Sequence, residues 1–261
     1  MENILQLISE YAKERVENCK KTKSLEEVKK EAIAIPKTNE FAFEKALAKE
    51  GISFICECKK ASPSKGIIAE DFKYLEIAKD YQKAGATCIS VLTEPKWFLG
   101  KDEYLKEISD AVTIPCIRKD FVVDEYMIYE AKILGASAVL LICSILDEIT
   151  IKNYIKLCDQ LGLSALVEAH DEDEIKMAVR AGARMIGVNN RNLKDFTVNV
   201  ENSRQLRKLV PSNILFVAES GIKTREDIAV LEAAGVDAVL IGETMMLAKD
   251  KNKMLNELRG V

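Results

Sequence analysis

A short phrase that recurs four times limits the possible folds of this 261-residue chain more than any other feature. In each copy a glycine separates an amphipathic helical pattern from a short apolar run. A glycine at a helix end accepts the left-handed backbone that other residues resist. The apolar runs are rich in β-branched residues and do not alternate with polar ones, which is typical of parallel strands buried on both faces. The four glycines are Gly85, Gly135, Gly182 and Gly235.

The spacing of these glycines predicts the architecture. They are 50, 47 and 53 residues apart, and each interval holds about two strand–helix units of ordinary length. A chain of this length then holds about eight such units, so we predict a (βα)8 TIM barrel of the α/β class that forms one domain over residues 1–261. The strands are predicted at 53–58, 87–92, 115–118, 137–142, 163–168, 184–189, 214–219 and 238–241.

Residues 1–50 precede the first predicted strand and are predicted to form a helical extension within the same domain. Ile4, Ile8 and Tyr11 can share one helical face, and Phe43 and Leu47 can share another. Two interpretations are open for these helices. They plug one end of the barrel, or they cover the active site.

Composition excludes several classes of function. A net charge of −4 does not suggest a general nucleic-acid or membrane binder, so an anionic ligand must meet a local cluster of positive charge. The seven cysteines have no CxxC spacing, and the single histidine, His170, leaves little for a metal site. The odd cysteine count, a charged amino terminus without a signal-like segment and the lack of a membrane-length apolar run predict a cytoplasmic protein.

Polar side chains follow six of the predicted strands. In barrels of this kind the reactive groups cluster at the carboxyl ends of the strands. Charges at a barrel mouth must be paired or used, so we predict a functional cluster there. Its candidate members are Glu57, Lys59, Arg118, Lys119, Asp120, Glu168, Asn189, Asn190, Arg191, Glu219, Ser220, Gly221, Gly242 and Glu243.

The alternation of side chains along a strand sorts the residues of the first predicted strand. Glu57 and Lys59 share one face, and Cys56 and Cys58 share the other. If the charged pair points into the mouth, both cysteines pack against the outer helices. The cysteines are then packing residues and not nucleophiles.

Lys119 and Glu168 are the candidate acid and base. We expect Arg118 and Lys59 to lower the pKa of Lys119 by repulsion between like charges. An alternative is that Lys119 and Glu168 form an ion pair that only closes the barrel. His170 is interpreted as a surface or helix-capping residue.

Two other features suggest a ligand that has both a phosphate and a ring. Ser220-Gly221 and Gly242 end the last two predicted strands, where many barrels bind phosphate through backbone N–H groups. Phe98 and Phe121 follow the second and third predicted strands. They either pack beneath a loop or flank an aromatic substrate.

With these residues in place, the chain resembles the indole-3-glycerol-phosphate synthase family from about residue 53 to residue 247. The motifs occur in the family's order and at the predicted strand ends. They are ECKKASPSKG at 57–66, RKDFVVDEYMIYEAKILGASAVLLI at 118–142, LVEAHDEDE at 166–174, IGVNNRNL at 186–193, AESGI at 218–222 and LIGETMM at 240–246.

The resemblance implies a carboxy-lyase of tryptophan biosynthesis that works without a metal or organic cofactor. Its substrate is 1-(2-carboxyphenylamino)-1-deoxyribulose 5-phosphate, an anionic sugar phosphate. Its products are indole-3-glycerol phosphate, carbon dioxide and water. Contacts with other tryptophan-pathway enzymes are a further expectation.

The resemblance also implies roles for individual residues. Lys119 acts as the general acid on the sugar ketone, Glu168 stabilises the developing cation or takes part in dehydration, and Lys59 contacts the anionic substrate and is a candidate second acid. Glu57 and Asn189 orient the hydroxyls and the lysines. The implied binding residues are Ser62 and Arg191 for the carboxylate, Phe98 and Phe121 for the ring, and Ser220, Gly221, Gly242 and Glu243 for the phosphate.

Two rival functions remain at this stage. A phosphoribosylanthranilate isomerase would need a cysteine base in the mouth at the first strand and an aspartate after the sixth. This chain has Glu57, Lys59 and Asn189 there. A barrel kept only as a scaffold would have lost the charges of the mouth, and this chain retains them.

Overall fold

The computed structural model describes residues 4–37, 39–191 and 197–261. Eight parallel strands close into a barrel, because the first strand pairs with both the second and the last strand of the barrel. This confirms the predicted TIM barrel. The barrel strands are β1 (Ser53–Cys58), β4 (Cys88–Leu92), β5 (Cys116–Lys119), β6 (Ala138–Ile142), β7 (Ser164–Ala169), β8 (Met185–Asn189), β9 (Leu215–Glu219) and β10 (Ala238–Ile241).

A small antiparallel hairpin, β2 (Ala61–Ser62) with β3 (Gly66–Ile67), follows β1 and was not predicted. Helices connect the strands around the barrel and precede the first one. They are α1 (Ile4–Thr22), α2 (Leu25–Ala34), α3 (Ala42–Leu47), α4 (Tyr74–Lys83), α5 (Asp102–Ala111), α6 (Glu125–Ile133), α7 (Glu148–Leu161), α8 (Glu172–Ala181), α9 (Glu201–Arg207), α10 (Arg225–Ala233), α11 (Glu243–Leu247) and α12 (Lys251–Arg259). Among the described residues, no helix is long and apolar enough to cross a lipid bilayer.

The repeated glycines have the backbone that the sequence predicts. Their φ angles lie between 76° and 89°, in the left-handed region that favours glycine at the end of a helix. Each glycine therefore ends one helix and turns the chain into the next strand.

Side chains alternate between the barrel interior and the surrounding helices. On β1, Ile55 packs in the interior cluster, whereas Cys56 and Cys58 pack outward in the cluster that contains Tyr81 of α4. The predicted orientation of the two cysteines is therefore confirmed. Burial in this apolar layer raises the pKa of the Cys56 thiol to about 12.

Helices α1 and α3 of the extension occupy opposite ends of the barrel. Ile4, Leu5 and Ile8 of α1 line the cavity at the carboxyl ends of the strands. Phe43 of α3 is fully buried in the interior cluster, and the backbone N–H of Glu44 donates to Oγ of Ser164, the first residue of β7. Both interpretations of the extension are therefore correct, each for a different helix.

Candidate active site

A cavity of about 790 Å³ opens at the carboxyl ends of the barrel strands, within the size range of small-molecule sites. It collects residues from many strands, because parallel strands present all their carboxyl ends at one side of the barrel. Every residue with a predicted catalytic or binding role lines it: Glu57, Lys59, Ser62, Phe98, Lys119, Phe121, Glu168, Asn189, Arg191, Ser220, Gly221, Gly242 and Glu243.

Lys119 lies between two buried carboxylates. Its Nζ is 2.5 Å from Oε2 of Glu219 and 3.3 Å from Oε2 of Glu168. The side chains of both glutamates are at most 4% exposed, and that of Lys119 is 12% exposed. Little water therefore screens this group of charges, and each charge strongly influences the protonation of the others.

The expected lowering of the pKa of Lys119 is wrong. Burial alone would lower it, but the carboxylates of Glu219, Glu168 and Glu57 outweigh burial and hold the pKa well above its usual range. Lys119 is therefore a charged, fully protonated donor in this structure. The cause of the error is the orientation of Arg118, the residue before Lys119.

Arg118 faces away from the mouth. Its guanidinium is buried between β5 and the outer helices, 2.7 Å from Oδ1 of Asp102 and 2.7 Å from Oε2 of Glu130. Adjacent residues of a strand point to opposite faces, so Arg118 cannot accompany Lys119 into the cavity. Its role in this structure is to join β5 to α5 and α6.

The two carboxylates that contact Lys119 differ in their protonation. Burial acts to raise the pKa of Glu168, but Lys119 and His170 outweigh it, and the pKa is lowered. Burial raises the pKa of Glu219 to about 7, although Lys119 is closer to it, and repulsion by Glu168 adds to the rise. Glu219 also has a buried oxygen, Oε1, with no hydrogen-bond partner among the described residues. One carboxylate is thus held ionised while the other takes up a proton near neutral pH.

Glu219 was predicted as a member of the polar cluster, but the sequence interpretation gave it no catalytic or binding role. It lines the cavity, contacts Lys119 and is only 2% exposed. The signal was available, since Glu219 directly precedes the two residues assigned to phosphate, and alternation on β9 points it inward with Val217.

Glu57 and Lys59 form a second ion pair on the β1 side of the cavity. Oε1 of Glu57 is 2.5 Å from Nζ of Lys59, and Oε2 accepts a hydrogen bond from the hydroxyl of Ser90 at 3.3 Å. Gly242 lies against this pair, because a Cβ built there would be 2.5 Å from Oε1 of Glu57 and 2.6 Å from Nζ of Lys59. The absence of a side chain at Gly242 leaves room for this ion pair.

Asn189 and Arg191 continue the site beyond β8. Oδ1 of Asn189 accepts the backbone N–H of Arg191 at 3.0 Å, and both residues line the cavity. The neighbouring Asn190 is buried outside the mouth, where it accepts hydrogen bonds from Ser203 and donates one to the carbonyl of Ser220. The last two residues of the IGVNNRNL motif, 192 and 193, lie outside the described residues.

The region assigned to phosphate has an unusual backbone. Ser220 and Gly221 are both left-handed, with φ angles of 66° and 82°. A left-handed serine is strained, and strain of this kind is concentrated at functional sites. A Cβ at Gly221 would collide with the side chain of Val198, so a residue with a side chain does not fit at position 221. Glu243 directs its carboxylate to Lys65 of the hairpin at 3.2 Å.

Phe98 and Phe121 form an aromatic wall of the cavity. The rings of Phe98 and Phe121 have centroids 6.2 Å apart, and both line the cavity. Glu94 holds the loop that carries Phe98, because its carboxylate accepts the backbone N–H of Lys96, Trp97 and Phe98. Trp97 packs instead against Tyr11 of α1 in an edge-on contact.

Comparison with known proteins identifies the family. The family model for indole-3-glycerol phosphate synthase matches residues 5–258. The chain belongs to this family. It is 57% identical over 257 residues to the indole-3-glycerol phosphate synthase of Ruminiclostridium cellulolyticum, covering 98% of this chain and 99% of the relative. It is 53% identical over 256 residues to that of Endomicrobium trichonymphae, with 98% and 99% covered.

Family membership confirms the predicted enzyme class. Indole-3-glycerol phosphate synthases are carboxy-lyases of tryptophan biosynthesis that act on a phosphorylated small molecule, as the motifs implied. The mouth contains basic, acidic and aromatic side chains.

Solved structures of other barrels show the fold alone. A thiamine phosphate pyrophosphorylase from Pyrococcus furiosus is 19% identical with a TM-score of 0.60, covering 80% of this chain and 94% of that one. A 3-hexulose-6-phosphate synthase from Salmonella typhimurium is 14% identical with a TM-score of 0.65, covering 80% and 97%.

Proposed function

We propose that this barrel closes the pyrrole ring of 1-(2-carboxyphenylamino)-1-deoxyribulose 5-phosphate, with loss of carbon dioxide and water, to give indole-3-glycerol phosphate. The observation that supports this best is the position of Lys119. Its ammonium group lies deep in the cavity, held by Glu168 and Glu219, with the aromatic pair and the left-handed Ser220-Gly221 segment lining the same cavity.

Ring closure is the step that needs an acid. The aromatic carbon that bears the carboxylate attacks the sugar ketone, and Lys119 donates a proton to the ketone oxygen as the new carbon–carbon bond forms. The attacking ring gives up an electron pair and becomes a cation, which the ionised Glu168 stabilises electrostatically. Loss of carbon dioxide returns the electron pair to the ring. The low pKa of Glu168 suits this role, because the residue is negatively charged when the cation forms.

Dehydration completes the indole. The new hydroxyl leaves as water after it accepts a proton, and the ring methylene carbon next to the nitrogen loses a proton, so that the carbon–carbon double bond of the pyrrole ring forms. Lys59 is the candidate acid for the leaving hydroxyl, and Glu57 holds its ammonium group by an ion pair of 2.5 Å. Glu168 is the candidate acceptor of the methylene proton. Asn189 orients the sugar hydroxyls and the lysines.

The rest of the cavity positions the substrate. Phe98 and Phe121 flank the ring, and Ser62 and Arg191 bind its carboxylate. The backbone of Ser220, Gly221, Gly242 and Glu243 binds the phosphate, in a conformation that only glycine adopts without strain at Gly221. Several polar groups then hold a flexible, highly charged substrate in one reactive geometry.

The outward-facing cysteines of β1 argue against the isomerase. Cys56 and Cys58 are at most 1% exposed and pack in the outer cluster, so neither thiol reaches the cavity to act as a base. The two ion pairs of the mouth argue against an inert scaffold, because buried charges are costly to keep without a use.

Two further points belong to this proposal. We propose that residues 1–261 form a single domain that includes the extension, which is supported by α1 and α3 packing in the interior cluster. We also propose a cytoplasmic location, which the free cysteines of the described chain support. Binding to other pathway enzymes stays a prediction.

The test is to incubate the purified chain with the substrate and to follow indole fluorescence. Lys119→Ala should lower kcat at least about a hundredfold, because the acid is lost, while KM changes much less. Lys106→Ala is the matched control, since Lys106 is an exposed lysine that pairs only with Asp110 on α5. A kcat for Lys119→Ala close to that of the control would remove Lys119 from the mechanism.

A further inference from the structure

His170 lies at the edge of the active site, directly after β7 and before α8. It is the single histidine of the sequence. Its side chain is 18% exposed and is packed between carboxylates. The expectation of a capping residue is only partly met. The backbone N–H of His170 donates to Glu174, but Asp171 is the residue that caps α8, and the imidazole itself points elsewhere.

The ring lies between two carboxylates. Nδ1 is 3.2 Å from Oε2 of Glu174, and Nε2 is 3.6 Å from Oε1 of Glu168. Nε2 is buried and has no hydrogen-bond partner among the described residues. Glu174 is itself fixed, because the hydroxyl of Ser144 donates to its Oε1 at 2.6 Å.

This arrangement bears on the protonation state of the ring. A neutral imidazole has one N–H, so it would present a lone pair to one of the two carboxylates. Only the imidazolium presents a donor to both Glu174 and Glu168. The geometry therefore favours a positively charged ring between two negative groups.

The charges of the mouth favour the same state. Three buried carboxylates, Glu57, Glu168 and Glu219, form ion pairs with the two lysines Lys59 and Lys119. A protonated His170 supplies a third cation, with its Nε2 3.6 Å from Oε1 of Glu168.

The surroundings of the ring act on it in opposite directions. Burial disfavours the charged ring, but the hydrogen bond to Glu174 and the carboxylates of Glu168 and Glu219 outweigh burial. They raise the pKa of His170 above its ordinary value. The ammonium of Lys119, bound to the far oxygen of Glu168, is the opposing cation on the β5 side.

We propose that His170 is a positioning residue, whose imidazolium keeps Glu168 ionised and fixes it facing Lys119. The inference rests on the proposed role of Glu168 in catalysis. His170 does not line the cavity, so its effect on turnover passes through Glu168 and not through contact with the substrate.

The proposal predicts a specific pH dependence. Glu168 must be ionised for turnover, so kcat falls as pH falls through the pKa of Glu168. His170 holds that pKa down, so removal of the imidazolium moves the acid limb of the profile to higher pH. His170→Asn should therefore lower kcat about tenfold more at acidic pH than at pH 8, with little change in KM. Equal losses at both pH values, or a loss confined to KM, would contradict the proposal.

A direct measurement uses the fact that the sequence contains one histidine. In an untagged chain labelled with ¹⁵N-histidine, both ring nitrogens should be protonated at pH 7, and Glu168→Gln should move the titration midpoint down. Coupling of this kind is reciprocal, so the two variants report the same interaction from opposite sides. Glu172→Gln is the matched control. Glu172 is an exposed carboxylate in the first turn of α8, and its side chain pairs with Lys176. A neutral ring at pH 7, or a midpoint that Glu168→Gln shifts no more than Glu172→Gln does, would overturn the proposal.

The two proposals can fail separately. If Glu168→Gln keeps normal turnover, the role of Glu168 is wrong, although the titration still tests its coupling to His170. If Glu168→Gln is inactive while His170→Asn keeps a normal pH profile, the role of Glu168 stands and that of His170 falls.

Discussion

Glu219 is a buried carboxylate whose negative charge is poorly compensated by the groups around it. It is buried beside a second carboxylate, and one of its oxygens has no hydrogen-bond partner among the described residues. Gly187 of β8 makes room for that oxygen, because a Cβ there would collide with it. A carboxylate held in this way costs stability when it ionises, so its retention suggests that the site uses it.

The raised pKa of Glu219 predicts how the stability of the Glu219→Gln variant should depend on pH. The ordinary pKa of 4.5 is raised to about 7 in the folded chain. Between these values the folded state binds a proton that the unfolded state has lost, so the free energy of unfolding falls as pH rises. Glutamine mimics the protonated acid, so the variant should lose less stability between pH 5 and pH 8, by on the order of 1–3 kcal/mol.

The same substitution should lower kcat about tenfold, because Lys119 loses its closest carboxylate. Thermal melts at several pH values and turnover at pH 7.5 test the two effects. Identical pH slopes for variant and wild type would show that Glu219 is already ionised at pH 5.

At the residue scale, the sequence predicts which side chains meet but not their protonation states. Alternation on β1 correctly separates Glu57 from Cys58. Applied to β5, the same rule would have turned Arg118 away from Lys119 and removed the reason for a lowered lysine pKa. The protonation of Glu219 could not be predicted, because it depends on burial and on an oxygen left without a partner.

At the element scale, α1 is joined to the catalytic strand by a buried ion pair. Nη2 of Arg15 is 2.7 Å from Oδ1 of Asp120, which directly follows Lys119. Asp120 also accepts hydrogen bonds from Thr93 and from the backbone N–H of Phe121. One carboxylate therefore fixes the helix over the mouth, the end of β5 and the aromatic wall together.

Arg15→Met should weaken this connection. The substitution leaves Asp120 with a buried charge and fewer partners, so we expect a loss of about 3 kcal/mol in the free energy of unfolding. The residues of α1 that line the cavity should also become less ordered, so KM should rise several-fold. Chemical denaturation and steady-state kinetics measure both effects.

Lys20→Met is the matched control on the same helix. Lys20 pairs with Asp124 at 2.8 Å, but both side chains are more than a quarter exposed. Such a pair contributes at most about 1 kcal/mol. Losses of equal size in the two variants would show that the buried pair has no special role.

The elements themselves were largely predictable. Uninterrupted apolar runs placed each barrel strand to within about one residue of its observed bounds. The β2–β3 hairpin was not predictable, because two-residue strands have no periodicity. The separation of α1 and α3 to opposite ends of the barrel depends on tertiary contacts that amphipathic patterns do not specify.

At the scale of the whole molecule, the two ends of the barrel have different tasks. The carboxyl ends of the strands hold the reactive groups, and the amino ends are closed by α3 and packed like a core. Residues buried at the two ends contribute to the same interior cluster, but only one end meets the substrate. Substitutions at the amino ends of the strands should therefore lower stability alone, and substitutions at the carboxyl ends should also change activity.

Two substitutions test this separation. Phe43→Ala removes a fully buried ring of α3 at the closed end and should cost about 3–5 kcal/mol of stability, with kcat and KM nearly unchanged below the melting temperature. Ile8→Ala removes a side chain of α1 that is 2% exposed and lines the cavity, so it should cost about 2–4 kcal/mol and also raise KM. Denaturant melts and kinetics on both variants provide the comparison. A rise in KM for Phe43→Ala as large as that for Ile8→Ala would show that the closed end controls the shape of the mouth, and that the barrel responds as one unit.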